Sequence, residues 1–158
     1  MKTITKITAA ALAISAMSAT LAQAASTTGT ATVSIVTPIS IVQTAAMNFG
    51  TISSSSTAGT VNTAGVVTGG VTKIANGNHG VFRVTGTPNA VFYFSQPTTV
   101  TLTNGANSMN ATTSVQLATF GPLSSTGTRD VTVTATLAVA ANQPAGTYNG
   151  TYNATANY

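Results

Sequence analysis

Cysteine and tryptophan are absent from this chain, and acid is nearly so: Asp130 is the only carboxylate side chain in 158 residues, against five Lys and Arg and a single His. Each gap excludes a class of chemistry. Glycoside hydrolysis normally takes two carboxylates. A nitrogen- or sulfur-ligated metal takes several His or Cys, and nothing in the sequence supports a calcium loop. A serine hydrolase would have to combine His79 and Asp130 with a serine, yet no Gly-x-Ser-x-Gly elbow occurs. His79 falls in a Gly/Asn-rich stretch and reads as an exposed loop residue. The chain is therefore expected to be neither an enzyme nor a cofactor or metal carrier. Without disulfides, its stability must come from packing or from a neighbour.

Charge is scarce as well. Beyond Lys2 and Lys6, the charged side chains are Lys73, Arg83, Arg129 and Asp130. Three scattered cations do not make the clustered basic patch that nucleic-acid binding requires. Soluble domains usually carry many charges that keep them apart. A surface of Thr, Ser, Asn and Gly instead suits close, lasting contact between copies of the same chain.

The N-terminus reads as a secretory leader over 1–24. Lys2 and Lys6 precede an uncharged run from Ile7 to Leu21, and Ala22-Gln23-Ala24 is a small-x-small cleavage site. The run, about 15 residues, is shorter than the ~20 that span a bilayer. The mature chain is expected to begin at Ala25 without a membrane span, and to pass through the periplasm to the cell surface or beyond.

Residues 25–158 suffice for one domain. No window shows helical periodicity. Thr and Val abound, both strand formers, and Gly, Asn and Ser clusters punctuate the chain at the short intervals of an all-β protein. The pattern predicts a single immunoglobulin-like antiparallel β-sandwich. Ala31, Val33, Ile35, Ile39 and Ile41 share one phase of an alternating run that Pro38 interrupts. Proline cannot donate to a β-ladder, so the run divides into strands at 30–36 and 39–43, with domain limits of 25–37 and 38–158. Further strands are expected at 47–52 (anchored by Phe49), 59–62, 66–72, 81–85, 90–95, 100–103, 109–111 and 114–120.

Two segments alternate most cleanly. Val131, Val133, Ala135, Leu137 and Val139 face one way between Thr132, Thr134 and Thr136. The final residues place Tyr148, Gly150, Tyr152, Ala154, Ala156 and Tyr158 on one face and Asn149, Thr151, Asn153, Thr155 and Asn157 on the other. Across Asn142-Gln143-Pro144-Ala145-Gly146 they read as a hairpin with a loop of about five residues. The terminal segment reads as a C-terminal core strand.

Two blocks carry a resemblance: Met47-Asn48-Phe49-Gly50-Thr51-Ile52, and Thr136-Leu137-Ala138-Val139 followed by Gln143-Pro144-Ala145-Gly146-Thr147-Tyr148-Asn149-Gly150-Thr151-Tyr152 and Asn157-Tyr158. Together they resemble a family of small secreted bacterial β-sandwich proteins of unknown function. That family is similar in layout to the spore-coat-U and archaic chaperone–usher pilins, though this chain lacks the disulfide those pilins often carry. The resemblance implies a fimbrial or surface-fibre subunit. Its partners would be other copies of itself, a periplasmic chaperone docked on the terminal strand and an outer-membrane usher, and its roles would lie in adhesion or biofilm.

Such a fibre predicts a specific use for the N-terminal run. A sandwich with an open edge can be completed by a neighbour's strand, with Ala31, Val33, Ile35 and Ile39 as the donor residues entering the groove. The same run could equally fold back as the first strand of its own sandwich, because a strand reads alike in cis and in trans. Other readings are a monomeric lectin-like or matrix-binding module using Tyr93 or Tyr148, and ice or mineral binding by rows such as Thr132-Thr134-Thr136. A Lys73–Asn isopeptide assisted by Asp130 would compete with a solvated Lys73 and a surface Asp130. The Asn-x-Ser/Thr patterns at Asn110, Asn149 and Asn153 read as chance in a Thr/Asn-rich chain.

Overall fold

The computed structural model describes residues 24–115 and 120–158. The predicted leader lies outside the described residues except for Ala24, and the strand expected at 114–120 falls partly outside them. Every described element is a β-strand, and all the strand pairs are antiparallel. The all-β sandwich read from the sequence is the fold.

Residues 24–34 carry no strand and are exposed throughout. The strand expected at 30–36 is therefore absent: Val33 is 82% exposed and Ile35 91%. The residues have strand propensity, but a lone strand has no ladder to join, and propensity without a partner does not make a strand.

Ile35–Tyr158 forms one compact unit. Its larger sheet has seven strands: β1 (Ser40–Ala45), β3 (Gly59–Asn62), β4 (Val67–Gly69), β6 (Gly80–Thr85), β8 (Thr99–Asn104), β9 (Asn107–Val115) and β11 (Thr128–Val139). β11 is its spine. It pairs with β6 through Thr128–Val133, with β3 through Thr136–Val139, and on its other edge with β9 through Val133–Leu137. Val131, Val133, Ala135, Leu137 and Val139 are all buried, at no more than 4% exposure. The predicted inward phase of this strand is the observed one. Reading the sequence found β11's face but not its partners.

The second layer is smaller. β7 (Val91–Ser95) lies between β10 (Phe120–Pro122) and β12 (Thr155–Asn157). A separate pair joins β2 (Thr51–Ser53) to β5 (Thr72–Ala75). The hairpin predicted between β11 and the terminal segment does not form. After Val139 the chain leaves the large sheet, turns through Asn142 (φ 54°), and its end pairs with β7.

The core divides into two clusters. One contains Phe82, Val84, Phe92, Phe94, Leu123, Val131 and Val133, with Ile39, Ile41, Tyr152, Ala154 and Ala156 packed against it. Here strands of both layers meet. The other contains Phe49, Val61, Val71, Ala111, Ala135, Leu137 and Val139, with Met47, Ile52, Leu102 and Met109 packed against it. Over this second cluster the upper layer is incomplete.

Candidate functional site: an open slot in the upper layer

The slot has two walls of antiparallel course. One is the chain from Met47 to Ser54, and the other runs from Gln143 to Tyr152. Its floor is the inner face of the large sheet: Val100 and Leu102 from β8, Met109 from β9, Leu137 and Val139 from β11. The volume is about 870 Å³. At the far end the walls are tied together: Asn142 N–H donates to Ser55 C=O at 2.7 Å, and Ser54 Oγ–H donates to Gln143 C=O at 2.9 Å.

Each wall is bonded on its outer side. Asn48 exchanges backbone hydrogen bonds with Asn78 (3.0 and 2.9 Å), and Thr51–Ser53 pairs with β5. Asn149 exchanges two with Thr103 at the edge of β8 (3.0 and 2.8 Å). Between those ties, no backbone hydrogen bond joins one wall to the other among the described residues. Successive backbone groups on an extended chain point to opposite edges, so the walls' inner groups face the slot. The opening spans about seven residues, roughly 23 Å, which is the length of one ordinary strand.

The glycines of the Gly-Thr-Tyr-x-Gly block explain part of this shape. A Cβ on Gly150 would lie 2.4 Å from Thr101 C=O, so only glycine lets the tail lie this close to β8. Tyr148 stands in the same wall, its hydroxyl donating to Pro144 C=O at 2.8 Å and accepting from Gln143 Nε2 at 2.9 Å. Tyr152 closes the near end, edge-on to Phe82 with centroids 5.8 Å apart and planes at 80°. Its hydroxyl is buried and has no hydrogen-bond partner among the described residues, and burial pushes its pKa above the usual phenol value.

The predicted C-terminal core strand is thus partly a core strand. Tyr152, Ala154 and Ala156 pack inward as expected. Ladder pairing is confined to Thr155–Asn157, Gly150 is exposed, and Tyr158 is 43% exposed. The predicted strand at 47–52 is likewise reduced to a bridge at Asn48 and the short β2.

Of the four predicted donor residues, Ala31, Val33 and Ile35 are exposed. Ile39 is not available with them. It is half-buried against the first core cluster of its own domain, just after Pro38. Being in phase with the run, Ile39 could not be separated by pattern alone.

The sequence also missed a contact at the end of the chain. The Tyr158 hydroxyl donates to Thr37 C=O at 2.7 Å and accepts from Thr87 N–H at 2.6 Å. Thr37 N–H donates in turn to Thr87 Oγ1 at 2.8 Å. Gly86 lies beneath, where a Cβ would sit 2.2 Å from the Tyr158 oxygen. No local signal links residues 121 positions apart.

Two polar contacts involve the titratable side chains. Arg83 and Asp130 form a bidentate pair at 2.7 and 2.8 Å, registered opposite each other on β6 and β11. The Arg83 hydrogen bond holds the Asp130 carboxyl below its usual pKa. His79 is not simply exposed: its Nδ1 lies 2.7 Å from the Oγ1 of buried Thr63, which also accepts Ala135 N–H at 3.2 Å. Among the described residues no group of His, Cys, Asp and Glu could hold a metal ion, and no helix is long and apolar enough to cross a membrane.

An antiparallel β-sandwich whose upper layer lacks one strand's width is the class that fold and slot define. Residues 39–158 match the family described as Domain of unknown function (DUF4402), and the chain belongs to that family. No curated protein and no solved structure matches it.

Proposed function

We propose that this protein is a structural subunit of a surface fibre that polymerises by strand exchange, the N-terminal segment of one copy filling the slot of the next. The slot carries this reading. Its floor is apolar, with Val100, Leu137 and Val139 buried and Leu102 and Met109 half-buried, its two walls are joined by no backbone hydrogen bond among the described residues beyond the far-end tie, and it is one strand long. The same chain carries an unpaired segment in which Ala31, Val33 and Ile35 alternate with Thr32 and Ser34. Three of its apolar residues, Val33, Ile35 and Val36, are more than half exposed.

The energetics support the pairing. Burying each large aliphatic side chain contributes about 1.5–3 kcal/mol. Two of them, an alanine and a new row of backbone hydrogen bonds amount to a sizeable part of a domain's usual ~5–15 kcal/mol. An unfilled slot is a liability, since unpaired edges invite aggregation. A periplasmic chaperone that occupies it until an usher directs exchange fits that need, as do export to the surface and a role in adhesion or biofilm.

The deciding experiment is a gel of the sheared surface fraction, run unboiled and boiled and probed for this chain. A ladder that collapses to one band only on boiling, and that disappears when residues 25–36 are deleted, is expected. A single monomer band in both lanes would refute the fibre.

A further inference from the structure

We infer that the Tyr158 hydroxyl, by pinning Thr37, decides that the occupant of the slot is a second copy rather than the chain's own N-terminal segment. The inference rests on the strand-exchange reading and concerns what keeps the segment out of its own slot.

The argument is one of reach. Thr37 is held at Thr87. Met47, at the near end of the slot, lies beside Gly80, its Cβ 3.3 Å from where a Gly80 Cβ would be. Gly80 to Thr87 is seven steps of nearly extended chain, so the pinned root stands roughly 20 Å from the slot's near end. An extended chain covers at most ~3.5 Å per residue. From Thr37, Ile35 therefore reaches about 7 Å and Val33 about 14 Å. Both apolar residues fall short of their own slot. The residues that could reach it, Ser26 to Ala31, carry no large apolar side chain.

Releasing Thr37 changes the outcome. With Ile39 still packed, the free segment would start two residues later, and Val33 would reach about 21 Å. That meets the near end of the slot. The pin thus sits where two residues of slack decide whether Val33 reaches its own slot. The interaction is between Tyr158 and the backbone of Thr37, so any hydroxyl-free side chain at position 158 removes it.

The test compares the wild-type chain with Tyr158→Phe and Thr87→Val. The latter removes the acceptor of Thr37 N–H and the weaker bond from Thr87 Oγ1 to Thr37 C=O at 3.4 Å. Two quantities are read: the monomer-to-multimer ratio on unboiled gels, and hydrogen exchange at residues 31–36 in the monomer fraction. Near-UV circular dichroism checks that each variant folds. Wild-type monomer is expected to exchange freely at 31–36. Both variants are expected to raise the monomer share, by roughly tenfold for Tyr158→Phe given the worth of its lost hydrogen bonds, and to protect 31–36 in the monomer. Folded variants with an unchanged ratio and free exchange overturn the inference, as does protection already present in wild-type monomer. If wild type forms no multimers while its segment exchanges freely and Tyr158→Phe protects it, the pin stands and the fibre reading falls.

Discussion

Replacing Ile35 by serine separates the stability of the subunit from that of the junction. Ile35 is 91% exposed, so its loss from the free subunit should cost no more than the ±0.5 kcal/mol typical of surface changes. In a filled slot the same side chain would be buried, and its removal should weaken each junction by about 1.5–3 kcal/mol. At 1.4 kcal/mol per tenfold, that is roughly a 10- to 150-fold rise in junction dissociation. The assay pairs thermal melting of purified monomer with the temperature at which surface multimers collapse on unboiled gels. An unchanged monomer melt beside a collapse temperature clearly below wild type is expected. Multimers as heat-resistant as wild type would refute the reasoning, because Ile35 would then contribute nothing to the contact that holds copies together.

Thr63→Val keeps the shape of a buried residue but leaves Ala135 N–H without its acceptor at the centre of the large sheet; a loss of about 1–3 kcal/mol in denaturant unfolding is expected. Tyr152→Phe removes a buried hydroxyl with no partner among the described residues, and a melt equal to or higher than wild type is expected. Asp130 has its pKa lowered by Arg83, so the pair stabilises the fold above the unfolded carboxylate pKa of about 3.9, and that contribution fades as pH falls through the lower folded value. The pair is surface-exposed, so screening by water keeps its contribution small. Asp130→Asn should remove this acid-dependent loss from urea titrations.

Alternation in the sequence told which side chains face inward far better than it told which strands pair. In β11 every inward residue named from the pattern is buried, and its paired threonines lie outward. In the terminal segment the burial still alternates through Tyr152, Ala154 and Ala156, although only Thr155–Asn157 joins a ladder. A period of two fixes a face, whereas a partner depends on where the loop leads. The loop after Val139 leads to the other layer. Turn chemistry was legible too: Asn142, which opens the loop read after Val139, adopts positive φ. The slot was not legible, because its walls, Met47–Ser54 and Gln143–Tyr152, lie far apart in sequence and alternation names faces rather than gaps. The Tyr158 pin was equally hidden, since it joins the two ends of the domain through one side-chain oxygen.

The two core clusters give the subunit two unlike ends, one sealed at Tyr158 and one open between Gln143 and Met47. Contacts built from unlike surfaces are heterologous, and where the rotation between copies does not close a ring they build an open filament. A filament so assembled would have a direction: every internal copy both gives and receives, the copy at one terminus keeps an empty slot, and the copy at the other keeps an unused segment. Growth and length are then set at the vacant slot, where any short alternating peptide that binds but offers no segment of its own would act as a chain stopper.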